Sequence, residues 1–186
     1  MRLRTFISID VEDKELVRKI MQVQRELEKT GTEMKLVEPE NIHLTLKFLG
    51  EIPIALVNEV KRELSTIEFK PFQIHIKGLG KFPPSGRIRV IWLGVEEGRD
   101  EVNRLFLEVE ERMKKLGFKP EKRGFTPHIT IARVKGPPTS ALKDLLKRLK
   151  DVDIGFMTVK FIRLKKSTLT SRGPIYETLY EVQARI

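Results

Sequence analysis

Two short segments of this 186-residue chain hold side chains suited to acid–base chemistry: His43-Leu44-Thr45-Leu46 and His128-Ile129-Thr130-Ile131. Each sets a His and a Thr two residues apart between aliphatics. Successive side chains of a β-strand point to opposite faces, so imidazole and hydroxyl share one face and the aliphatics fill the other. Two such strands facing one cleft present a general base and a general acid near neutral pH. Chance accounts poorly for the pair. Thr is 12 of 186 residues, so a Thr follows a given His at this spacing roughly 6% of the time. Two hits among three His come to about 1%, before the matched aliphatics are required.

Transfer at a phosphate is the chemistry these groups serve best. In-line displacement needs a base on the attacking oxygen and an acid on the leaving oxygen, on opposite sides of phosphorus. Thr hydroxyls stabilise the charge on the non-bridging oxygens. The chain has no Cys, which excludes a thiolate nucleophile, a disulfide framework and Cys-based zinc. Two His on separate strands offer only two ligands with no acidic third in either motif, so neither metal nor cofactor is expected.

Lys and Arg exceed Asp and Glu by 36 − 26 = 10, and the pI is about 9.8. A polyanionic partner, RNA or DNA, is the reading that charge favours. Lys47, Arg123 and Arg133 lie close in sequence to the two His segments. No apolar run approaches the ~18 residues of a membrane helix, and the strand-like opening Met1–Phe6 is not a signal peptide, so a cytoplasmic protein with no membrane partner is expected. Charged residues at 33% with few Asn and Gln lean towards a thermostable protein.

Those motifs need elements to carry them. Leu3–Ile9 reads as a strand, and Leu16, Val17, Ile20, Val23 and Leu27 mark one helical face closed by Gly31. The His43 strand runs to Leu49-Gly50, and Pro53 opens a helix with Leu56, Val57, Val60 and Leu64 inward. Phe72, Ile74 and Ile76 alternate as a strand that ends in a hairpin loop, Gly78–Gly86, lacking the Lys-Ser/Thr of a nucleotide loop. Ile88–Val95 is apolar on both faces, which predicts a buried strand with Trp92 in the core. A helix from Val102 to Leu116, the His128 strand, a helix carrying Leu142–Leu149, and strands near Ile154–Leu164 and Ile175–Ala184 complete the chain.

This order repeats. The numbers of the two His differ by 128 − 43 = 85, and those of the strand starts at Leu3 and Ile88 by the same amount. The helices beginning near Ile54 and Thr139 give 85 again, and the strands at Pro71 and Ile154 give 83. A fixed offset through successive elements is the mark of an internal duplication. The expected fold is therefore α+β and bilobal. Two lobes related by a pseudo-two-fold axis, each with an antiparallel or mixed sheet and two helices, would face their His-x-Thr strands across a central cleft. No linker-like composition divides residues 1–186, so one bilobal catalytic domain is expected.

The paired segments resemble those of the two-histidine phosphoesterases, and more narrowly the bacterial and archaeal RNA 2′,3′-cyclic phosphodiesterases, also named 2′-5′ RNA ligases. Arg4–Ile9, Asn41–Gly50, Phe125–Arg133 and Gly173-Pro174-Ile175-Tyr176 are similar to that family's pattern and span nearly the whole chain in family order. The resemblance implies a basic central cleft and metal-independent hydrolysis of RNA 2′,3′-cyclic phosphate ends to 2′-phosphates. It implies His43 as proton donor to the 3′ oxygen, His128 as proton acceptor from water, and Thr45 and Thr130 on the phosphate. The residues themselves do not distinguish the two His. The implied partner is RNA with a cyclic phosphate end, tRNA fragments included, met by a monomer.

Further contacts are expected around this pair. Lys47 shares strand parity with His43 and Thr45 and is a candidate for the RNA backbone, a surface lysine being the alternative. Arg133 lies three residues beyond Thr130, so it meets the phosphate only if the strand twists or bulges. Phe48 and Phe125 are candidates for stacking on a base, and Tyr176 is left open. His75, on a polar strand face with Gln73 and Lys77, reads as solvated or structural. Three other functions fit the same residues: 2′-5′ ligation of cyclic phosphate ends to 5′-hydroxyls, hydrolysis of a different small cyclic or 2′-5′ nucleotide, and a non-catalytic RNA or nucleotide binder. A binder has no need of both imidazoles.

Overall fold

A computed structural model describes residues 1–186. In chain order the elements are β1 (Arg2–Asp10), α1 (Lys14–Glu28), β2 (Met34–Leu36), a 3₁₀ turn (Pro39–Asn41), β3 (His43–Pro53), α2 (Ile54–Leu64), β4 (Phe72–Phe82), β5 (Val90–Val95), α3 (Arg99–Lys115), β6 (His128–Val134), α4 (Ser140–Arg148), β7 (Asp153–Val159), β8 (Phe161–Thr170) and β9 (Gly173–Gln183). Local chemistry explains the starts of α1 and α4. The Asp13 carboxylate accepts from the Leu16 N–H at 3.0 Å, and the Thr139 hydroxyl from that of Leu142 at 3.1 Å. Leu16, Ile20, Val23 and Leu27 recur at helical spacing and are buried as one stripe of α1.

All nine strands join one antiparallel network in the order β7-β4-β5-β6-β3-β1-β8-β9, with β2 also on β6. The two His strands meet at a single rung, Leu44 opposite Ile129. Their numbers differ by 129 − 44 = 85, the repeat offset. Equivalent residues that pair with each other lie on the two-fold axis, so the pseudo-axis passes through this rung. It divides the sheet into lobes β3-β1-β8-β9 and β6-β5-β4-β7.

The two repeats exchange elements across that axis. β4 leaves the first half to pair with β5, and β8 returns to pair with β1. Helix α1 packs on β6, β7 and α4, while α3 packs on β3 and α2. Each lobe therefore carries two helices, one from each half of the chain. A contiguous cluster of 38 buried apolar residues draws on both lobes, so neither lobe has a core of its own.

Three boundaries differ from the sequence expectation. The strand near Ile154–Leu164 is two, β7 and β8, which part at Lys160 and enter different lobes. β4 does not end at Gly78. That glycine, at φ 89°, sits in a register shift between Ile76 and Leu79, and the strand continues to Phe82. β2 is only three residues long, too short to show a period. No helix is long and apolar enough to cross a membrane.

Candidate active site

The two His strands carry the same irregularity. In β3, Ile7 faces Lys47 but Ser8 faces Thr45, which leaves Leu46 as an extra residue. In β6, Ile91 faces Ala132 but Trp92 faces Thr130, which leaves Ile131 extra. Leu46 and Ile131 differ in number by 131 − 46 = 85, so the bulge is duplicated with the repeat. A bulge reverses side-chain parity beyond it. Phe48 and Arg133 therefore turn to the cleft face, and Phe48 is 70% exposed there. The twist or bulge that Arg133 requires is present.

The same bulge corrects the expectation for Lys47. It turns away from His43 to the helical side, where it is buried, donates to the Lys119 carbonyl at 2.9 Å and ion-pairs with Glu110 of α3. Phe125 is corrected as well. It stacks on Phe106 of α3 with centroids 4.1 Å apart and packs, half-buried, against the apolar core. Trp92, expected in the core, is instead a cleft wall. It lies across Gly80 of β4, where a Cβ would collide with its ring.

Both imidazoles are fixed in the same way. His43 Nδ1 lies 2.7 Å from the Asn41 carbonyl, and His128 Nδ1 lies 2.9 Å from the Thr126 carbonyl. A carbonyl only accepts, so each Nδ1 carries the proton and each Nε2 is left as an acceptor. The Thr45 hydroxyl donates to His43 Nε2 at 2.9 Å. Antiparallel register about the Leu44–Ile129 rung sets His43 towards Thr130 and Thr45 towards His128. The two hydroxyls and two imidazoles thus alternate around the pseudo-axis. With one rung between the strands, they do so at an opening rather than in a closed sheet.

Aromatic walls complete each side. Phe6 and Tyr176 stand 5.0 and 5.4 Å from the His43 ring, and Phe82 and Trp92 stand 5.1 and 6.1 Å from that of His128. Asn41 also serves a second purpose. Its amide donates at 2.9 Å to the Pro174 carbonyl, pinning the β8–β9 hairpin that brings Tyr176 to His43. Phe82, Tyr176 and Asn41 were not named as site residues from sequence, because nothing local marks a wall or a pin built by residues distant in the chain.

A charged group also escaped the sequence reading. Asp10 stands opposite His43 on β1, and its carboxylate accepts from Lys165 Nζ at 2.7 Å, Arg163 Nη1 at 3.0 Å and Ser8 Oγ at 2.8 Å. Burial pushes the Asp10 carboxyl up, but Lys165, Ser8 and Arg163 outweigh it and hold the group below its ordinary range. For His43, burial lowers the pKa. The Asn41 carbonyl and Asp10 oppose that, and Lys165 and Arg133 reinforce it. Burial raises the Tyr176 hydroxyl against the pull of Arg133 and Arg4. Outside the cleft, His75 has the structural role expected of it, bonding Asp153 at 2.8 Å and stacking on Phe156. No group of three or more His, Asp or Glu comes together to hold a metal ion.

Known proteins are similar to this chain over nearly its whole length. A protein of Aeropyrum pernix named RNA 2′,3′-cyclic phosphodiesterase is 45% identical over 170 residues, covering 91% of this chain and 97% of its own. One of the same name from Archaeoglobus fulgidus is 40% identical over 177 residues, covering 95% and 98%. A crystal structure of a Thermus thermophilus protein superposes with a TM-score of 0.81 at 27% identity over 97% of each chain. The profile described as LigT like phosphoesterase matches residues 9–92 and again 93–176. Its two matches start at an offset of 93 − 9 = 84, so the family's own unit is the repeat seen in the fold. With a copy of that unit in each half and a His-x-Thr strand in each copy, the chain belongs to the LigT-like phosphoesterase family.

Proposed function

We propose that this chain hydrolyses RNA 2′,3′-cyclic phosphate ends to 2′-phosphates without a metal, through His43 and His128. The observation that carries the reading is the matched pair of imidazoles, each with Nδ1–H tied to a carbonyl two residues upstream, so that Nε2 takes a proton when the ring is neutral and gives one when it is protonated. The names of its relatives supply the substrate class. His128 Nε2 takes a proton from water, and the oxygen attacks phosphorus. The bond to the 3′ oxygen breaks, and His43 supplies the proton that oxygen needs. Thr45, Thr130 and Arg133 bear on the non-bridging oxygens. Phe48, at the cleft face, is suited to stack on the terminal base.

Burial makes the His43 imidazolium a stronger acid than a free one, and a bound phosphodiester anion offsets the repulsion from Arg133 that disfavours it. The cleft takes residues from both halves, so residues 1–186 act as one bilobal catalytic domain. We place it in the cytoplasm as a monomer acting on RNA ends, those of tRNA fragments included. An oligonucleotide ending in a 2′,3′-cyclic phosphate, incubated in EDTA, tests this reading. The expected product is the 2′-phosphate, with activity falling about 10²–10⁴-fold in His43→Ala and in His128→Ala. The double variant should be little worse than either single one, because acid and base act as a unit. Near-full activity in either single variant, or a strict need for Mg²⁺, removes the mechanism.

A further inference from the structure

The duplication aligns the two lobes closely enough to show where they were made different. Asp10 stands opposite His43 in the β1–β3 ladder, and Gly94 stands opposite His128 in the β5–β6 ladder. Their numbers differ by 94 − 10 = 84, the offset of the family unit, so the positions are equivalent. One imidazole has a carboxylate as its cross-strand neighbour and the other has none. The difference is built into the packing. A Cβ at Gly94 would lie 2.9 Å from the Lys77 carbonyl of β4, so that place excludes a side chain without backbone movement.

The carboxylate is held rigidly. The side chains of Asp10, Lys165 and Arg163 are only 10–11% exposed, and three donors fix both Asp10 oxygens. Arg163 is fixed in turn by Glu12 at 2.6 Å and Glu181 at 2.8 Å. Charges at this depth are screened little by salt. The groups around His43 are then Asp10 from β1, Lys165 from β8, Arg133 from β6, Thr45 of its own strand and Tyr176 from β9, with Arg163 bonded to Asp10 and Arg4 acting on Tyr176. Among them Asp10 is the only anion.

We propose that Asp10, clamped by Lys165 and Arg163, is a positioning residue that sets the protonation of His43 separately from that of His128. The proposal rests on the paired-His reading above and deepens it. A duplicated site begins with two equal imidazoles, whereas the reaction needs one protonated and one not. Asp10 favours the His43 imidazolium, and its two cations limit how far.

Two variants pull in opposite directions. Asp10→Asn keeps the shape but leaves Lys165 and Arg163 uncompensated, so His43 becomes harder to protonate. Lys165→Met removes a cation and leaves Arg163 as the one cation bonded to Asp10, so His43 becomes easier to protonate. The His43 and His128 imidazole resonances, titrated by NMR in the ligand-free protein, read this without catalysis. We expect His43 to move down in Asp10→Asn and up in Lys165→Met by about one pH unit each, a tenfold change in its proton equilibrium. The His128 titration should stay in place. The alkaline limb of kcat/KM, which reports the acid, should follow His43 in both directions. Glu181 is exposed, so Glu181→Gln does not endanger folding, and it should shift His43 the same way as Asp10→Asn by a smaller amount. Shifts of the same sign in Asp10→Asn and Lys165→Met, or equal movement of His128, would overturn the proposal. Should the protein prove inactive on cyclic phosphates, the catalytic reading fails while the titrations still decide this one.

Discussion

Acid should weaken this protein in two steps, and the residues responsible are neighbours in the cleft. Burial, aided by Lys165 and Arg133, puts the folded pKa of His43 below its ordinary value of 6.5, so the unfolded chain binds that proton more tightly. Its contribution to stability is complete above about pH 6.5 and is lost as pH falls towards the folded value. Asp10 obeys the same sign lower on the scale. Burial raises it, but Lys165, Ser8 and Arg163 win, so the folded carboxyl titrates below its ordinary 3.8. That contribution is complete above about pH 3.8 and is lost below it. Urea denaturation from pH 8 to 3 should show a shallow decline first and a second one in acid. Asp10→Asn should shrink the second, leaving the smaller share of the exposed Glu15 and Asp153 carboxyls, which Arg18 and His75 also hold down. A second decline of full size in that variant would assign it to those other carboxylates.

At the scale of elements, what positions the site is a pair of strand irregularities and a missing side chain. Gly80→Ala tests the second of these. The new methyl collides with the Trp92 ring, which must leave its place beside His128. We expect a loss of about 1–3 kcal/mol of stability, a shift in the emission of the protein's single Trp, and a lowered kcat/KM. Unchanged emission with unchanged activity would mean that the wall has another support. Strand parity made His43, Thr45, His128 and Thr130 readable as a constellation from residues alone. The duplication was readable too, because its constant offset survives in apolar pattern and turn residues. What parity could not carry was the residue after a bulge: Leu46 and Ile131 look like ordinary strand aliphatics, yet each reverses the face of the residues beyond it. Lys47 was misplaced for that reason, and Arg133 needed a bulge the sequence does not announce. Asp10 went unread because its partners lie far along the chain, on β8.

Over the whole molecule, the excess of ten positive charges predicts how substrates of different length respond to salt. Lys and Arg that neutralise phosphates release counterions, so binding of a long RNA weakens steeply as salt rises. A cyclic mononucleotide engages only the cleft. Raising salt should raise KM strongly for the long RNA and weakly for the mononucleotide, with kcat little changed for either. Equal sensitivity would point to a small nucleotide as the natural substrate. The exchange of strands between halves has a different consequence, one for biosynthesis. β1 leaves the ribosome well before its second neighbour, β8, which follows it by about 150 residues. At about 5–20 residues per second, the free edge of β1 waits roughly 8–30 s for its partner. During that interval the apolar run Phe6–Ile9 is open to pairing with another nascent chain, and the nearby charges of Arg2 and Arg4 are its guard. The wall that holds His43 is thus begun long before it is closed, so a chain that stalls short of β8 has both His-x-Thr strands made and the β1 side of the cleft still open.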